Sequence, residues 1–483
     1  MSLVLGIDLG TSGCRSAVFD DRLNMLCSAR TEYPLSILGG NRIEQDAGVW
    51  WDSARQTVRE VTALLGKKSA AIRSIGVSSQ GISIVPVGKD GKVLCGAISW
   101  LDGRATSETD EIIKRYGARD IFQRTGKRIS PIYTLPKLMW IKKNEPRIFE
   151  KTERFLMPMD FIQYRLCGNC VTDHTMAAGT MMYDIHGQAW MEDLLGENGI
   201  GAGLLPDIAW AGSVAGTLLP ETAKELGLGT DVIVAVGAQD QKCAAYGGGA
   251  SEQVVTVSLG TGSCITKLSE APVLDDEMRI PVFSYLYQGC WDMEGVVNTA
   301  GSALEWFRKK FAPSMDYEEL SGMAAHAETG GLKFYPYLSG GASPHWGEGA
   351  GAFTGLTLQS GIPECVRALL EGIAYHIKAN TDVMDKAGQA ADTLRVFGGG
   401  SKSDLWCRLI ADITGKCVVR LESCETALAG AARLAFKSLG VETKPLAPER
   451  EFLPQPCEAE KYKERYIDYE TTRKRCFDMR ETE

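Results

Sequence analysis

Asp8 closes a short apolar run, Val4, Leu5 and Ile7, and is soon followed by Gly10, Thr11, Ser12 and Gly13. The run reads as a buried strand. Two glycines around two hydroxyl residues read as a tight hairpin with unusual backbone conformations. A turn of this kind can aim N–H groups and hydroxyls at a phosphate. A lone carboxylate at the strand's end would then engage Mg2+, directly or through water. A plain hairpin with a polar turn looks the same, and one copy leaves the two readings even. A second copy favours chemistry. Val255 to Ile265 repeats the pattern 250 positions later, with Gly260 and Thr261 matching Gly10 and Thr11, Gly262 in the turn, and Ser258 where Asp8 stood. Two phosphate-type hairpins, one with a carboxylate and one without, imply a duplicated fold that closes on one nucleotide, with the metal on the Asp8 side.

Phosphoryl transfer needs phosphates that are held and neutralised, a positioned acceptor, and a group to take the acceptor's proton. Asp240 is the candidate for the last role. It follows the apolar strand Asp231 to Val236, as site residues do in open α/β sheets, and it precedes a helix of small residues, Lys242 to Gly249. A carboxylate is a weak base in water, and exclusion of water raises its pKa. An Asp that merely caps the helix would sit there equally well. Gly398, Gly399 and Gly400 follow the strand Leu394 to Phe397 and precede Ser401. Such a run lets a flat adenine lie against bare backbone, and three consecutive glycines exceed what a strand-to-helix turn needs.

The elements that must position these groups follow from patterning. Asp46 caps a helix with apolar residues at Trp50, Ala54, Val58, Val61 and Leu65. Strands are expected at Ile72 to Ser79 and Ala97 to Trp100, a turn at 89–92, helices at 106–116 and 137–144, and a hairpin over 254–268. Ala427 to Ala432 is a second small-residue helix, mirroring the one after Asp240 and suited to close backbone approach at a domain crossing. Tyr462, Tyr466 and Tyr469 stand at helical spacing and should pack on the second half. At 483 residues the chain divides naturally into two domains, 1–249 and 250–483. A net charge of −9 without a Lys/Arg block argues against nucleic acid. No apolar run approaches the ~18 residues of a membrane span, and the N-terminus lacks a basic leader. Fourteen cysteines then read as reduced thiols in the cytoplasm. Cys167, Cys170 and His174 have a spacing seen at zinc sites, but no second Cys pair accompanies them, and Gly168-Asn169 reads as the turn of a hairpin.

From Leu5 to about Leu439 the chain resembles the FGGY family of carbohydrate kinases, whose hairpins are those of the actin/hexokinase superfamily. The resemblance rests on separate motifs: Gly6 to Gly13; Glu44-Gln45-Asp46 with Trp50-Trp51; Trp100-Leu101-Asp102-Gly103-Arg104; Pro136 to Trp140; Asp240-Gln241; Pro336 to Gly340; Gly351 to Leu356; and Gly398 to Ser401. It implies an α/β protein of two ribonuclease-H-like domains around a catalytic cleft, using ATP and Mg2+. By the same resemblance Asp240 deprotonates a sugar hydroxyl, Asp8 helps hold Mg-ATP, and Gln80, Gly81, Trp100, Asp102 and Gln241 contact the sugar. Two departures bear on the acceptor. Gln80-Gly81-Ile82-Ser83 stands where xylulose kinases carry Gln-Met-His-Gly and glycerol kinases carry Gln-Arg-Glu. Ser339 to Pro344 replaces a Ser-Gly-Glu-Arg-Thr-Pro loop. Gly81 is expected to open space, and Ile82 cannot bond a hydroxyl, so the substrate should differ in detail. A D-xylulose-type ketopentose is the first expectation. Glycerol, erythritol, L-ribulose, a non-kinase actin-fold ATPase and a sugar sensor stay open, as does a homodimer.

Overall fold

The computed structural model of the chain describes residues 2–347 and 349–478. Its first sheet is built from β1 (Leu3–Leu9), β2 (Gly13–Phe19), β3 (Met25–Glu32), β4 (Ile72–Ser79), β5 (Val214–Thr217), β6 (Ile233–Ala235) and β7 (Ala238–Gln239). The strand order is β5-β6-β4-β1-β2-β3, and β7 joins β4 beyond the end of β6. The second sheet uses β8 (Val254–Ser258), β9 (Ser263–Ser269), β10 (Val282–Ser284), β11 (Trp291–Val297), β12 (Thr393–Phe397), β13 (Cys417–Leu421) and β14 (Pro448–Phe452). Its order is β10-β11-β9-β8-β12-β13-β14. In both sheets a leading strand pairs antiparallel with the next and parallel with a later one: β1 with β2 and β4, β8 with β9 and β12. The duplicated hairpin thus belongs to a duplicated sheet.

Six helices matter for the site: α1 (Ala47–Leu65), α2 (Asp240–Gly248), α3 (Ile362–Ala387), α4 (Asp404–Thr414), α5 (Thr426–Ser438) and α6 (Pro456–Phe477). The Asp46 carboxylate accepts the Gly48 N–H and starts α1. Along β1, successive side chains face opposite sides. Leu5 and Ile7 join Trp50, Ala54 and Val58 of α1 in one core, while Val4 joins Leu428, Ala432 and Phe436 of α5 in another. The helix α5, late in the chain, therefore covers the first sheet. Gly6 and Gly76 are register partners and form its seat. A Cβ on Gly6 would lie 2.9 Å from the Leu428 carbonyl oxygen, and one on Gly76 would fall on that of Ala431. Where α5 crosses α2, a Cβ on Gly430 would strike the Cys243 carbonyl and one on Gly247 that of Thr426. The small residues thus serve the close approach anticipated for them. On the second half, Tyr469 of α6 stacks on Tyr335 with centroids 4.5 Å apart, and Tyr466 stacks on Tyr375 at 5.8 Å.

Some local expectations are corrected. Cys167 ends a helix, Pro158–Cys167, and Gly168 caps it in the left-handed conformation, so residues 165–172 are not a hairpin. A glycine after a helical run stops a helix as readily as it turns a hairpin. The strand Val171–Asp173 pairs with Asp207–Ala209 instead. His174 bonds the Tyr183 hydroxyl through Nδ1 (2.6 Å) and stacks on Trp210. The expected strand at 97–100 contains only Ala97–Ile98. Among the described residues no helix is long and apolar enough to cross a membrane.

Candidate active site

Three neighbouring strands bring the key groups together. Asp8 lies beside Ser78, and Gln239 beside Ser79, in parallel register. Asp8, Gln80 and Asp240 therefore stand at the carboxyl ends of β1, β4 and β7, where open α/β sheets keep their ligand crevices. The Ser78 hydroxyl donates to Asp8 Oδ1 (2.7 Å), and the described hydrogen bonds leave Oδ2 unengaged. Burial lifts the Asp8 carboxyl to about 6, against the pull of Ser78 and Arg15. Asp240 opens α2, and its Oδ1 accepts the Gln241 N–H (2.7 Å). Burial first, and the charge of Asp8 second, raise Asp240 to about 8. The two carboxyl groups thus feel each other's charge and resist ionising together. Among the described residues no group of three or more His, Cys, Asp or Glu could hold a metal. The free oxygen of Asp8 suits a magnesium ion held by one carboxylate plus phosphate oxygens and water.

Both hairpins close in the same way: Gly10 N–H donates to Gly13 (2.9 Å) and Gly260 N–H to Gly262 (3.0 Å). None of these four glycines takes the left-handed backbone, contrary to the conformation expected of them. Packing explains two of them. A Cβ on Gly13 would meet Thr31 O at 2.6 Å, and one on Gly262 would meet Val297 O at 2.9 Å. Gly10 and Gly260 have no such neighbour and lie open to a ligand. Ser12 and Thr261 are exposed in the turns, whereas the Thr11 hydroxyl accepts the Trp100 indole N–H (3.0 Å). Ser258, in the place of Asp8, turns its hydroxyl onto its own hairpin and accepts the Cys264 N–H (2.8 Å). The second hairpin offers backbone and the first adds charge.

The glycine run can be divided in the same manner. Gly398 holds φ +90° against the backbone of Leu259, and Gly400 lies under the Trp406 ring. Gly399 is exposed, with ordinary backbone and nothing within 4 Å of a Cβ. The packing of the fold gives no reason for its missing side chain. The Gly400 N–H donates to Leu259 O (2.8 Å), tying this loop to the second hairpin. Ser401 is buried and donates to Gly398 O (2.8 Å).

On the acceptor side, Gln80 is 2% exposed. Its Nε2 donates to Gln45 Oε1 (2.9 Å), and Gln45 Nε2 donates to Thr11 O (2.8 Å). Trp100 is half-buried, with its backbone N–H on Ser83 Oγ (2.9 Å). Asp102 departs from expectation. It is wholly buried, and its two oxygens take the Arg104 guanidinium, the Arg104 N–H and the Ile43 N–H. With its lone pairs committed it anchors the loop that carries Trp100. Gly81 does not open space either: a Cβ there would lie 2.9 Å from Gln239 Nε2. Gln241 is half-buried beside the catalytic candidate in sequence, with its backbone N–H on Asp240.

Two residues escaped the sequence reading. Gln239 fills the room over Gly81. Lys242, two residues beyond Asp240, is fully buried and bridges Asp292 (2.5 Å) and Glu294 (2.6 Å) on β11. Its ammonium lies 3.8 Å from the centre of the Phe283 ring, and Lys127 lies on the same ring at 3.2 Å. A lone lysine in a helix of small residues was the available signal, but its partners are about fifty residues away.

Against known proteins, the model for the FGGY family of carbohydrate kinases, N-terminal domain, matches residues 3–247, and that for the C-terminal domain matches 255–439. The chain is 30% identical over 474 residues to a xylulose kinase of Bacillus subtilis, covering 96% of this chain and 95% of that one. A ligand-bound xylulose kinase from Lactobacillus acidophilus superposes with a TM-score of 0.92 at 26% identity, covering 98% of each chain. A gluconate kinase from the same organism also gives 0.92, at 27% identity, covering 98% of this chain and 97% of that one.

Proposed function

The chain belongs to the FGGY family of carbohydrate kinases and carries out ATP-dependent phosphorylation of a sugar, and from that premise we propose that its acceptor is a ketopentose of the D-xylulose type. Near full-length similarity to a xylulose kinase supports this acceptor. The observation that carries the mechanism is that Asp8 and Asp240 stand at strand ends on either side of β4, near enough for the charge of Asp8 to raise Asp240. Asp240 takes the proton of the sugar hydroxyl, whose oxygen forms the new bond to the γ-phosphorus as the bond to the β-phosphate oxygen breaks and ADP leaves. The Gln241 N–H holds the Asp240 carboxylate in place. Gly10, Ser12, Gly260 and Thr261 line the phosphates, Gly399 lies under the adenine, and Gln80 and Trp100 border the sugar. Mg2+ at Asp8 would neutralise charge on the phosphates. All fourteen cysteines are unpaired, which supports a reducing compartment such as the cytoplasm.

The test is ADP release from ATP and Mg2+ across ketopentoses, tetritols, glycerol and hexuloses, with Asp240→Asn as control. D-xylulose should stimulate release most, and the variant should lose at least a hundredfold in kcat while keeping its KM for ATP. Unaltered turnover in Asp240→Asn would remove it from the role of base.

A further inference from the structure

The sequence replaces the side chain of residue 81 with a hydrogen, yet the structure leaves no void there. The carboxamide of Gln239 lies over Gly81, with Nε2 2.9 Å and Cγ 3.2 Å from the position of an added Cβ. Ile82 turns sharply beneath it. Its φ is +52°, which a β-branched residue adopts only under strain, and the turn is held by Ser83 N–H on Gly81 O (2.7 Å) and by Thr134 Oγ1 on Ile82 O (3.2 Å). Gln239 is equally fixed at its backbone. It pairs with Ser79, and its N–H donates to Thr175 Oγ1 (3.1 Å), which is itself bound to Asp173. Asp240 is the next residue.

Two buried acceptors are left over in this corner. Gln80 Oε1 and Gln239 Oε1 are both shielded from solvent without a hydrogen-bond partner among the described residues. For Gln80 the orientation is dictated. The Thr11 carbonyl can only accept, so Gln45 presents Nε2 to it and Oε1 to Gln80. Gln80 must then donate with Nε2 and leave Oε1 free. Unpartnered buried acceptors are costly, and the ligand that relieves them must donate hydrogen. Hydroxyl groups do so and a carboxylate cannot, so a sugar acid would have to turn its carboxylate away from both oxygens. The nearby cations are committed: Arg104 to Asp102 and Glu44, Lys137 to two carbonyl oxygens, Lys242 to Asp292 and Glu294.

We infer that Gln239 is a specificity-determining residue, which takes over the room above Gly81 and, with Gln80 Oε1, selects a neutral ketose or polyol over a sugar acid. This rests on the kinase reading above. The test compares the wild type with Gln239→Leu, Gln239→Gly, Gly81→Ala and Gly81→Ala/Gln239→Gly, on D-xylulose, on polyols and on gluconate. The wild type should use a neutral acceptor and not gluconate. Gln239→Leu should raise the KM for that acceptor about tenfold with the KM for ATP unchanged. Gly81→Ala alone should be as damaging, and more tolerable once Gln239 is Gly. Unfolding midpoints and ATP affinity establish that each variant is folded, and Gln239→Gly serves where Gln239→Leu is not. An unchanged sugar KM in the folded variants, or a wild type that prefers gluconate, overturns the inference while the kinase reading stands. A wild type that no sugar stimulates overturns both.

Discussion

At the scale of single residues, the chemistry sets a stability conflict at Asp240. Burial and the neighbouring Asp8 raise its pKa from 3.8 to about 8. Between those values the folded protein keeps a proton that the unfolded chain has released, so the unfolded state binds fewer protons and folding stability falls as pH rises. Below about 4 both states are protonated and the effect vanishes. Asn at 240 lacks the charge and retains an oxygen for the Gln241 N–H. Asp240→Asn should therefore unfold later than the wild type, by on the order of 2 °C at pH 8.5, with the gap shrinking towards pH 6. Calorimetry at the two pH values decides it, since a gap independent of pH would exclude titration of Asp240 as its source.

At the scale of elements, α2 is held at both ends of its function. Its first residue is Asp240, its third is Lys242, and Lys242 fastens it to β11 of the other sheet through Asp292 and Glu294. Removing one partner of a buried ionic group strands the others. Lys242→Met should destabilise the fold by about 3–5 kcal/mol, read from urea denaturation. A loss under 1 kcal/mol would show that the two carboxylates reach another partner or protonate. Where local signals decide an element it was legible in the sequence: Asp46 begins α1 and Ile72–Ser79 is a strand with the bounds expected, whereas Gly168, which suits a hairpin turn equally well, ends a helix instead. The glycine run was visible in the sequence, but that Gly399 alone is unexplained by packing needed Trp406 and Leu259 in place. Asp102, Lys242 and Gln239 were opaque for one reason. Whether a polar side chain faces a ligand or a distant structural partner depends on contacts that no local pattern encodes.

At the scale of the whole molecule, two copies of one sheet meet along α2 and α5, with one glycine hairpin on each half. Ligands that touch both halves gain by drawing them together, and water excluded from the cleft cannot compete with the sugar for the phosphoryl group. X-ray scattering should show a smaller radius of gyration with D-xylulose and a non-hydrolysable ATP analogue together than with either alone. Identical curves would count against closure. The placement of α5 has a further bearing, on how the protein is made. Residues 426–438 complete the face of a sheet whose strands begin at Leu3, so during translation the early strands must wait for nearly the entire chain to leave the ribosome before the Gly6–Gly76 groove is roofed. A fragment ending at residue 249 would carry that groove bare, and two separately expressed halves would recover a finished protein only by finding each other.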